Sequence, residues 1–107
     1  MITKHYFGTI DDGRDVHSYL LKNDAGMSVR ICEFGGAIME ISVPDRLGRM
    51  TDVVAGYDSL RDYVLAPGYL GALVGRVCNR TADGQFVLNG HSYSLQCNEP
   101  DRRVHLH

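Results

Sequence analysis

Apolar and polar residues alternate along the chain in short segments, and glycine-containing turns separate these segments. Such alternation places one kind of side chain on each face of a β-strand. It predicts one strand over residues 16–22 and another over residues 27–32, with a turn at residues 23–26 in which Gly26 can take a left-handed conformation. Because the connection is short, we expect these two strands to form an antiparallel hairpin.

The same patterning continues through the middle of the chain. Two further strands are predicted at residues 39–43 and 51–55, and a turn that contains proline and glycine lies between them. Residues 59–63 are the one segment typical of a helical turn, with Asp58 or Ser59 as its N-cap.

The clearest hairpin lies near the end of the chain. Residues 86–88 and 92–95 flank Asn89-Gly90, the dipeptide that suits a two-residue type I′ turn. Four apolar side chains are spaced so that they share one face of this hairpin: Phe86, Leu88, Tyr93 and Leu95.

These turns, the 12 glycines and the near absence of helical periodicity predict an all-β, mostly antiparallel chain. Its 107 residues can form one domain at most. Residues 68–75 are rich in glycine, but they match neither the dinucleotide nor the nucleoside-triphosphate fingerprint. We therefore expect a buried strand there, whose glycines allow close packing or a bend.

Composition and charge exclude several classes of partner. With 11 basic and 13 acidic residues the formal net charge is −2, so nothing indicates a nucleic-acid-binding protein. The apolar stretches are too short to span a bilayer, and the N-terminus lacks the apolar core of a signal peptide, so we expect a cytoplasmic protein. Three widely spaced cysteines argue against a disulfide framework or a zinc site. We expect Cys32, Cys78 and Cys97 to be small buried residues in a reducing compartment.

Candidate binding groups cluster at residues 75–80, which read Gly-Arg-Val-Cys-Asn-Arg. The amide of Asn79 both donates and accepts hydrogen bonds, and the guanidinium of Arg80 is a rigid fork of donors, so the pair suits a hydroxyl-rich ligand. Because neighbouring residues on a strand point to opposite faces, Asn79 and Arg80 can both contact one ligand only at a bend or at a strand end. We expect a turn at residues 81–84, which makes that geometry plausible. In the alternative interpretation, Arg80 pairs with Asp83 or another acid and Asn79 caps a turn.

Two histidines, His105 and His107, are separated by one residue and would share one face of a strand. A bare His-x-His is a weak metal motif, and no spacing singles out a third ligand, so we expect no metal site. A histidine in a polar pocket could instead donate a hydrogen bond to a ligand oxygen or transfer a proton near neutral pH.

Seven sequence blocks, in order over about 75 residues, resemble the N-terminal part of the aldose 1-epimerases, or galactose mutarotases. The blocks are Phe34-Gly35-Gly36-Ala37, Val43-Pro44-Asp45-Arg46-Leu47-Gly48, Asp52-Val53-Val54-Ala55-Gly56-Tyr57-Asp58, Tyr63, Gly71-Ala72, Gly75-Arg76-Val77-Cys78-Asn79-Arg80 and Leu106-His107. The hairpin at residues 86–95 and Asn98 also fit the family pattern. The order of the blocks makes the resemblance far more specific than any single block.

The resemblance implies an antiparallel β-sandwich and an enzyme that interconverts the α and β anomers of aldoses such as galactose or glucose, without a metal or organic cofactor. It implies that a carboxylate takes the anomeric hydroxyl proton while a histidine protonates the ring oxygen. By the match, Asn79 and Arg80 bind sugar hydroxyls. His107 would be the first active-site histidine, which donates to the sugar and helps to polarise it.

Two features depart from the family pattern. Cys78 stands where alanine is usual, and the loop at residues 99–105 is longer and more charged than is usual beside the expected sugar site. The resemblance places the general base and the second histidine downstream of Leu106-His107. We therefore expect residues 1–107 to be a truncated or partial epimerase that does not turn over sugar alone and can self-associate through unpaired strand edges.

Two other functions stay open. The same scaffold could serve as a non-catalytic carbohydrate-binding or regulatory module that keeps Asn79, Arg80 and His107 without the acid/base groups. A small β-rich interaction domain could instead pair its exposed strand edges with a partner. A downstream extension of the reading frame with an acidic residue and another histidine would favour the enzyme.

Overall fold

The computed structural model describes residues 1–66 and 68–106 of the chain. The chain forms two compact units, Met1–Leu73 (unit 1) and Val74–His107 (unit 2). That all 107 residues belong to one domain stays a prediction. Within the described part of the chain, no helix has the length and apolar character needed to cross a membrane.

Unit 1 contains a five-stranded antiparallel sheet in the order β1-β2-β3-β4-β5. Its strands are β1 (Ile2–Thr9), β2 (Asp15–Lys22), β3 (Ser28–Cys32), β4 (Ile38–Pro44) and β5 (Met50–Asp52). The hairpin predicted from the first alternating segments is confirmed as β2 and β3, and Gly26 in its turn has a φ of 92°. The sequence pattern does not predict β1, because its apolar residues Ile2 and Tyr6 are exposed and mark no buried face.

The turn between β4 and β5 is organised by the side chain of Asp45. Its Oδ1 accepts hydrogen bonds from the backbone N–H groups of Leu47 (2.7 Å) and Arg49 (2.9 Å), which stabilises the chain reversal. The returning strand is confirmed, but it ends at Asp52 rather than at residue 55. The Oδ1 atom of Asp52 accepts hydrogen bonds from the backbone N–H groups of Ile41 at 3.0 Å and Val54 at 3.2 Å, so this side chain bonds across to β4 where the strand ends.

The predicted helical turn is confirmed as α1 (Leu60–Leu65). Ser59 is its N-cap, because its Oγ accepts a hydrogen bond from the backbone N–H of Asp62 at 3.2 Å. The helix directs Leu60 and Tyr63, which are three residues apart, into the core of unit 1. The other buried apolar members of this core are Val16, Cys32, Ala37 and Met39.

The prediction of a buried strand at residues 68–75 is wrong, since none of these residues forms a strand and Leu73 is 78% exposed. Close packing by a glycine in this segment is nevertheless confirmed. The backbone N–H of Ile38 donates to the carbonyl of Gly71 at 2.9 Å, and a Cβ at Gly71 would collide with the carbonyl oxygen of Ile38. The glycine therefore allows irregular chain to approach β4 and does not belong to a strand.

Unit 2 contains two separate two-stranded antiparallel sheets. Their strands are β6 (Arg80–Ala82), β7 (Gln85–Leu88), β8 (His91–Ser94) and β9 (Val104–Leu106), with β6 paired to β9 and β7 paired to β8. The second pair is the predicted hairpin, and its turn residues Asn89 and Gly90 have φ values of 52° and 78°, as a type I′ turn requires.

The apolar face predicted for the β7–β8 hairpin is present, and it is exposed. Phe86 lies opposite Tyr93, and their rings stack with centroids 5.0 Å apart. Every residue of the two strands is exposed. No Asp, Glu, Lys or Arg occurs between Gly84 and Asn98. The hairpin therefore presents an uncharged surface with a stacked aromatic pair.

The predicted all-β, mostly antiparallel fold class is confirmed, with one short α-helix in the described chain. The prediction of three buried cysteines is wrong in part. Cys32 is buried in the core of unit 1, but Cys97 is half-buried and Cys78 is exposed. Cys78 lies in irregular chain just before β6, where packing of a regular element does not cover it.

Candidate functional site

Asn79 and Arg80 lie at the bend that begins β6. Asn79 has a φ of 76°, in the left-handed region that asparagine tolerates better than most residues. Its side-chain Oδ1 accepts a hydrogen bond from the backbone N–H of Arg80 at 2.9 Å. The bend is therefore stabilised by the side chain of Asn79 itself, which leaves the amide nitrogen Nδ2 to donate elsewhere.

The turn predicted at residues 81–84 is wrong for its first half. Thr81 and Ala82 continue β6, and only Asp83 and Gly84, with φ values of 53° and 62°, form the turn. The backbone N–H of Gly84 donates to the carbonyl of Thr81 at 3.1 Å to close it. The bend that can bring Asn79 and Arg80 to one ligand thus precedes the strand.

The guanidinium of Arg80 forms a two-pronged ion pair with Glu99. Its Nε donates to Oε2 at 2.8 Å, and its Nη2 donates to Oε1 at 3.1 Å. Parallel charged hydrogen bonds of this kind are stronger and more directional than a single contact. The hydrogen bond from Arg80 holds the pKa of the Glu99 carboxyl below its ordinary value, and the same contact raises the pKa of Arg80. The sequence left the partner of Arg80 as Asp83 or another acid, and the structure shows that it is Glu99.

This ion pair leaves part of Arg80 available for a ligand. A guanidinium has five N–H donors, and two of them point at Glu99. The side chain of Arg80 is 43% exposed, while that of Glu99 is 27% exposed. The paired carboxylate also keeps unused lone pairs that can accept hydrogen bonds. The site therefore combines donors from Arg80 and Asn79 with acceptors from Glu99.

A second polar contact ties β9 to Asn98, in the segment that precedes the Pro100–Arg102 turn. The side chain of Asn98 donates to the carbonyl of Leu106 at 2.8 Å and accepts from the backbone N–H of Leu106 at 2.7 Å. The strand register places Leu106 directly opposite Arg80. The pairing of β6 with β9 therefore brings Leu106 next to Arg80.

Of the two histidines in the sequence motif, the structure describes only His105. The Nδ1 atom of His105 lies 2.6 Å from the carbonyl oxygen of Gln96, so Nδ1–H donates this hydrogen bond. His107, the expected active-site histidine, lies outside the described residues, and its role stays a prediction. Across residues 1–66 and 68–106, no three His, Cys, Asp or Glu side chains form a group that could hold a metal ion.

Sequence reasoning overlooks Glu99 as a member of the site and underrates Asn98. Glu99 counts there only as part of a charged loop, although the sequence does suggest that Arg80 can pair with an acid. Asn98 counts only as a match to the family pattern. The sequence does contain a signal that could have identified both residues. Asn98 and Glu99 come directly before Pro100, and a proline at this position indicates the start of a turn, here Pro100–Arg102.

Unit 1 has a cleft of its own, with a volume of about 370 Å³. This size lies near the lower end of the range for ligand pockets. Both charged and aromatic side chains line it, including His5, Arg30, Glu40, Tyr57 and Asp58. No sequence motif indicates a binding role for these residues.

Comparisons with known proteins agree on one family. Residues 17–107 match the family described as "Aldose 1-epimerase". The galactose mutarotase of Sus scrofa is 38% identical over 105 residues, which are 97% of this chain and 30% of that protein. The maltose epimerase of Levilactobacillus brevis is 34% identical over 104 residues, again 97% of this chain and 30% of that protein.

A solved structure gives the same result for the fold. The crystal structure of galactose 1-epimerase from Lactobacillus acidophilus NCFM, a β-sandwich protein, matches with a TM-score of 0.73 at 25% sequence identity. The match covers 100% of this chain and 30% of that chain. The predicted antiparallel β-sandwich fold class is thereby confirmed, and the chain spans about 30% of the length of the relatives that it matches.

Proposed function

This chain belongs to the aldose 1-epimerase family, and on that premise we propose that it binds an aldose sugar through Asn79 and Arg80 as the N-terminal portion of a mutarotase. The proposal rests on one observation, the exposed part of the Arg80 guanidinium at the bend that Asn79 stabilises. The aldoses that we propose are galactose, which the names of the relatives support, and glucose, which the family resemblance implies.

The proposed chemistry is acid/base opening and closing of the sugar ring, which interconverts the α and β anomers. A carboxylate takes the proton of the anomeric hydroxyl, a histidine protonates the ring oxygen, and the ring closes again after C1 rotates. In this scheme Asn79 and Arg80 hold hydroxyl groups in place, and His107 donates to the sugar and polarises it. Neutral hydroxyls match these roles because each one can both accept from Arg80 and donate to Glu99.

Arg80→Ala tests the proposed site in a titration of galactose followed by NMR. Hydrogen bonds to a charged group contribute about 1.5–3 kcal/mol, so we expect the dissociation constant to rise about 10- to 100-fold. Arg61→Ala is the matched control, since Arg61 is an exposed arginine on α1 of unit 1. Equal affinities of the wild-type chain and Arg80→Ala would remove Arg80 from the sugar site.

Turnover by residues 1–107 alone is a separate question. The resemblance places the general base and the ring-protonating histidine downstream of the Leu-His motif, so we propose that this stretch supplies binding groups without complete acid/base machinery. The mutarotation of α-galactose, followed by polarimetry with the purified 107-residue chain, should proceed at the rate of the buffer. A rate well above that of the buffer would overturn this proposal.

A non-catalytic carbohydrate-binding or regulatory module remains the second candidate function. It is favoured by the chemistry of the described site, in which Asn79, Arg80 and Glu99 are arranged to hydrogen-bond a ligand. The parent reading frame separates the two candidates. An extension that encodes an acidic residue and another histidine beyond residue 107 favours the enzyme, whereas a protein that binds galactose without them favours the module.

Self-association also stays a prediction, and the β7–β8 hairpin is the surface that favours it. Isolated two-stranded hairpins have little stability of their own, and uncharged strand edges pair readily with other strands. Phe86→Lys should lower the average mass in sedimentation at high protein concentration, because it charges the stacked face. Val87→Lys places the same charge on the opposite face and is the control. Identical, purely monomeric behaviour of the wild-type chain at all concentrations would contradict the prediction.

A further inference from the structure

We infer that Glu99 is a specificity-determining residue, which makes the Arg80 site select neutral aldoses and reject anionic ones such as sugar phosphates and uronates. This inference rests on the proposed sugar site. It goes beyond that site because Glu99 lies outside the sequence blocks that carry the family resemblance. The observation behind it is the two-pronged contact between Arg80 and Glu99, at 2.8 and 3.1 Å.

Glu99 occupies one of the two edges through which the Arg80 guanidinium could bind an anion with paired donors. A guanidinium binds carboxylate or phosphate best with two parallel N–H donors, and this geometry makes arginine a common anion-binding residue. In this structure Nε and Nη2 already donate to the two carboxylate oxygens of Glu99. An anionic ligand would have to displace Glu99 from the Nε/Nη2 edge or bind at the Nη1/Nη2 end, close to the negative charge of Glu99.

Glu99 is held in this position by its own backbone. The carbonyl of Glu99 accepts from the N–H of Arg102 at 3.1 Å, and its N–H donates to the carbonyl of Val104 at 3.2 Å. Pro100 begins the 3₁₀ turn that follows. The carboxylate therefore extends from an anchored turn, and its side chain is only 27% exposed. Displacing the carboxylate would break the ion pair with Arg80 and disturb the turn that holds Glu99.

A neutral hydroxyl meets no such penalty. It can accept a hydrogen bond from one of the remaining donors of Arg80 and donate its own proton to a free lone pair of Glu99. The pair then behaves as a donor and an acceptor side by side, with little net charge. The charge balance of this small site, rather than its size, would thus decide between a sugar and its phosphate or uronate.

The test compares galactose, galacturonate and inorganic phosphate in titrations of the wild-type chain, Glu99→Gln and Glu99→Ala. The wild-type chain should bind galactose at least about tenfold more tightly than galacturonate, and both variants should lower this preference by about tenfold or more. Asp101→Asn is the control, because it removes one negative charge from the same turn while the Arg80–Glu99 contact stays intact. It should change the preference less than about twofold.

Two results would overturn the inference. One is an unchanged preference in both Glu99 variants when their NMR spectra show that they are folded. The other is wild-type binding of galacturonate as tight as that of galactose. The phosphate titration tests the role of Glu99 independently of sugar binding. Phosphate should shift the Nε–H signal of Arg80 in Glu99→Ala and not in the wild-type chain, even if galactose does not bind to either. Equal phosphate shifts in the two chains would also contradict the role of Glu99.

Discussion

Units 1 and 2 are stabilised in different ways. Unit 1 closes a five-stranded sheet and a helix over a core of buried side chains: Val16, Cys32, Ala37, Met39, Leu60 and Tyr63. Among the described residues of unit 2, only Gly84 is buried. Unit 2 instead has the Arg80–Glu99 ion pair and the contact between Asn98 and Leu106. The proposed binding site thus lies in the part with little apolar burial, where a few polar side chains determine the geometry.

The largest effect that this comparison predicts is for Leu60→Ala in the core of unit 1. Leu60 is 6% exposed, and it approaches β1 so closely that a Cβ at Gly8 would lie 2.9 Å from its Cδ2. Removing it should lower the free energy of unfolding by about 2–5 kcal/mol, as measured by urea denaturation followed by circular dichroism.

Leu65→Ala is the matched control for that measurement, because the same helix leaves Leu65 66% exposed. It should change the free energy of unfolding by less than about 0.5 kcal/mol. Equal losses for the two variants would show that burial in the core does not account for the stability of unit 1.

A smaller effect is expected for Asn98→Ala in unit 2. The substitution removes both hydrogen bonds to Leu106, at 2.8 and 2.7 Å, and neutral hydrogen bonds contribute about 0.5–1.5 kcal/mol each. Protection of the Leu106 amide against hydrogen exchange should fall by about tenfold or more, while amides of β2 and β3 keep theirs. Asn98→Asp keeps the acceptor oxygen and should lose less. Unchanged protection of Leu106 in Asn98→Ala would contradict the polar account of unit 2.

The smallest predicted effect concerns the acid sensitivity of unit 1. Hydrogen bonds from the hydroxyl of Tyr19 and the backbone of His17 lower the pKa of Glu33 from 4.5 to about 2. A carboxyl whose pKa is depressed on folding stabilises the protein above its unfolded value, and this contribution is lost as the pH falls toward the folded value. Stability should therefore decline between pH 4.5 and about 2 less steeply in Glu33→Gln than in the wild-type chain.

Tyr19→Phe provides a graded check on the pH prediction, because it removes only the largest contribution to the lowered pKa of Glu33. Its acid transition, followed by tyrosine fluorescence and by amide signals of β2 and β3, should fall between those of the wild-type chain and Glu33→Gln. The same steepness in all three proteins would show that Glu33 does not link pH to the stability of unit 1.

The sequence predicts best those elements whose signals are local. The β2–β3 and β7–β8 hairpins are each predicted from two neighbouring strands and a short turn. The cap of α1 is narrowed to Asp58 or Ser59, and the structure shows Ser59. Pairing between β6 and β9 escapes prediction because it joins segments that are distant in the sequence. β1 escapes it because exposed apolar residues on its strand hide the alternation.

The candidate site shows the same division. The ordered sequence blocks select Asn79 and Arg80 as candidate sugar ligands by family resemblance, and that role stays a prediction. The partner of Arg80 cannot be chosen from the sequence, because any nearby acid satisfies the charge. Only the fold brings Glu99, rather than Asp83, within 2.8 Å of Nε. The burial of the cysteines could not be predicted from their residue type either. A small apolar residue is buried only where other elements pack over it, as they do over Cys32 and not over Cys78.

The most direct test of the account is a galactose titration of the ¹⁵N-labelled chain, with every assigned backbone amide followed by NMR. The account predicts saturable shifts for amides of β6, β9, Asn98 and Glu99, with amides around the unit 1 cleft, such as those of Arg30 and Tyr57, left unchanged. Shifts confined to that cleft, or no shifts at saturating galactose, would contradict the claim that the Asn79–Arg80 bend binds the sugar.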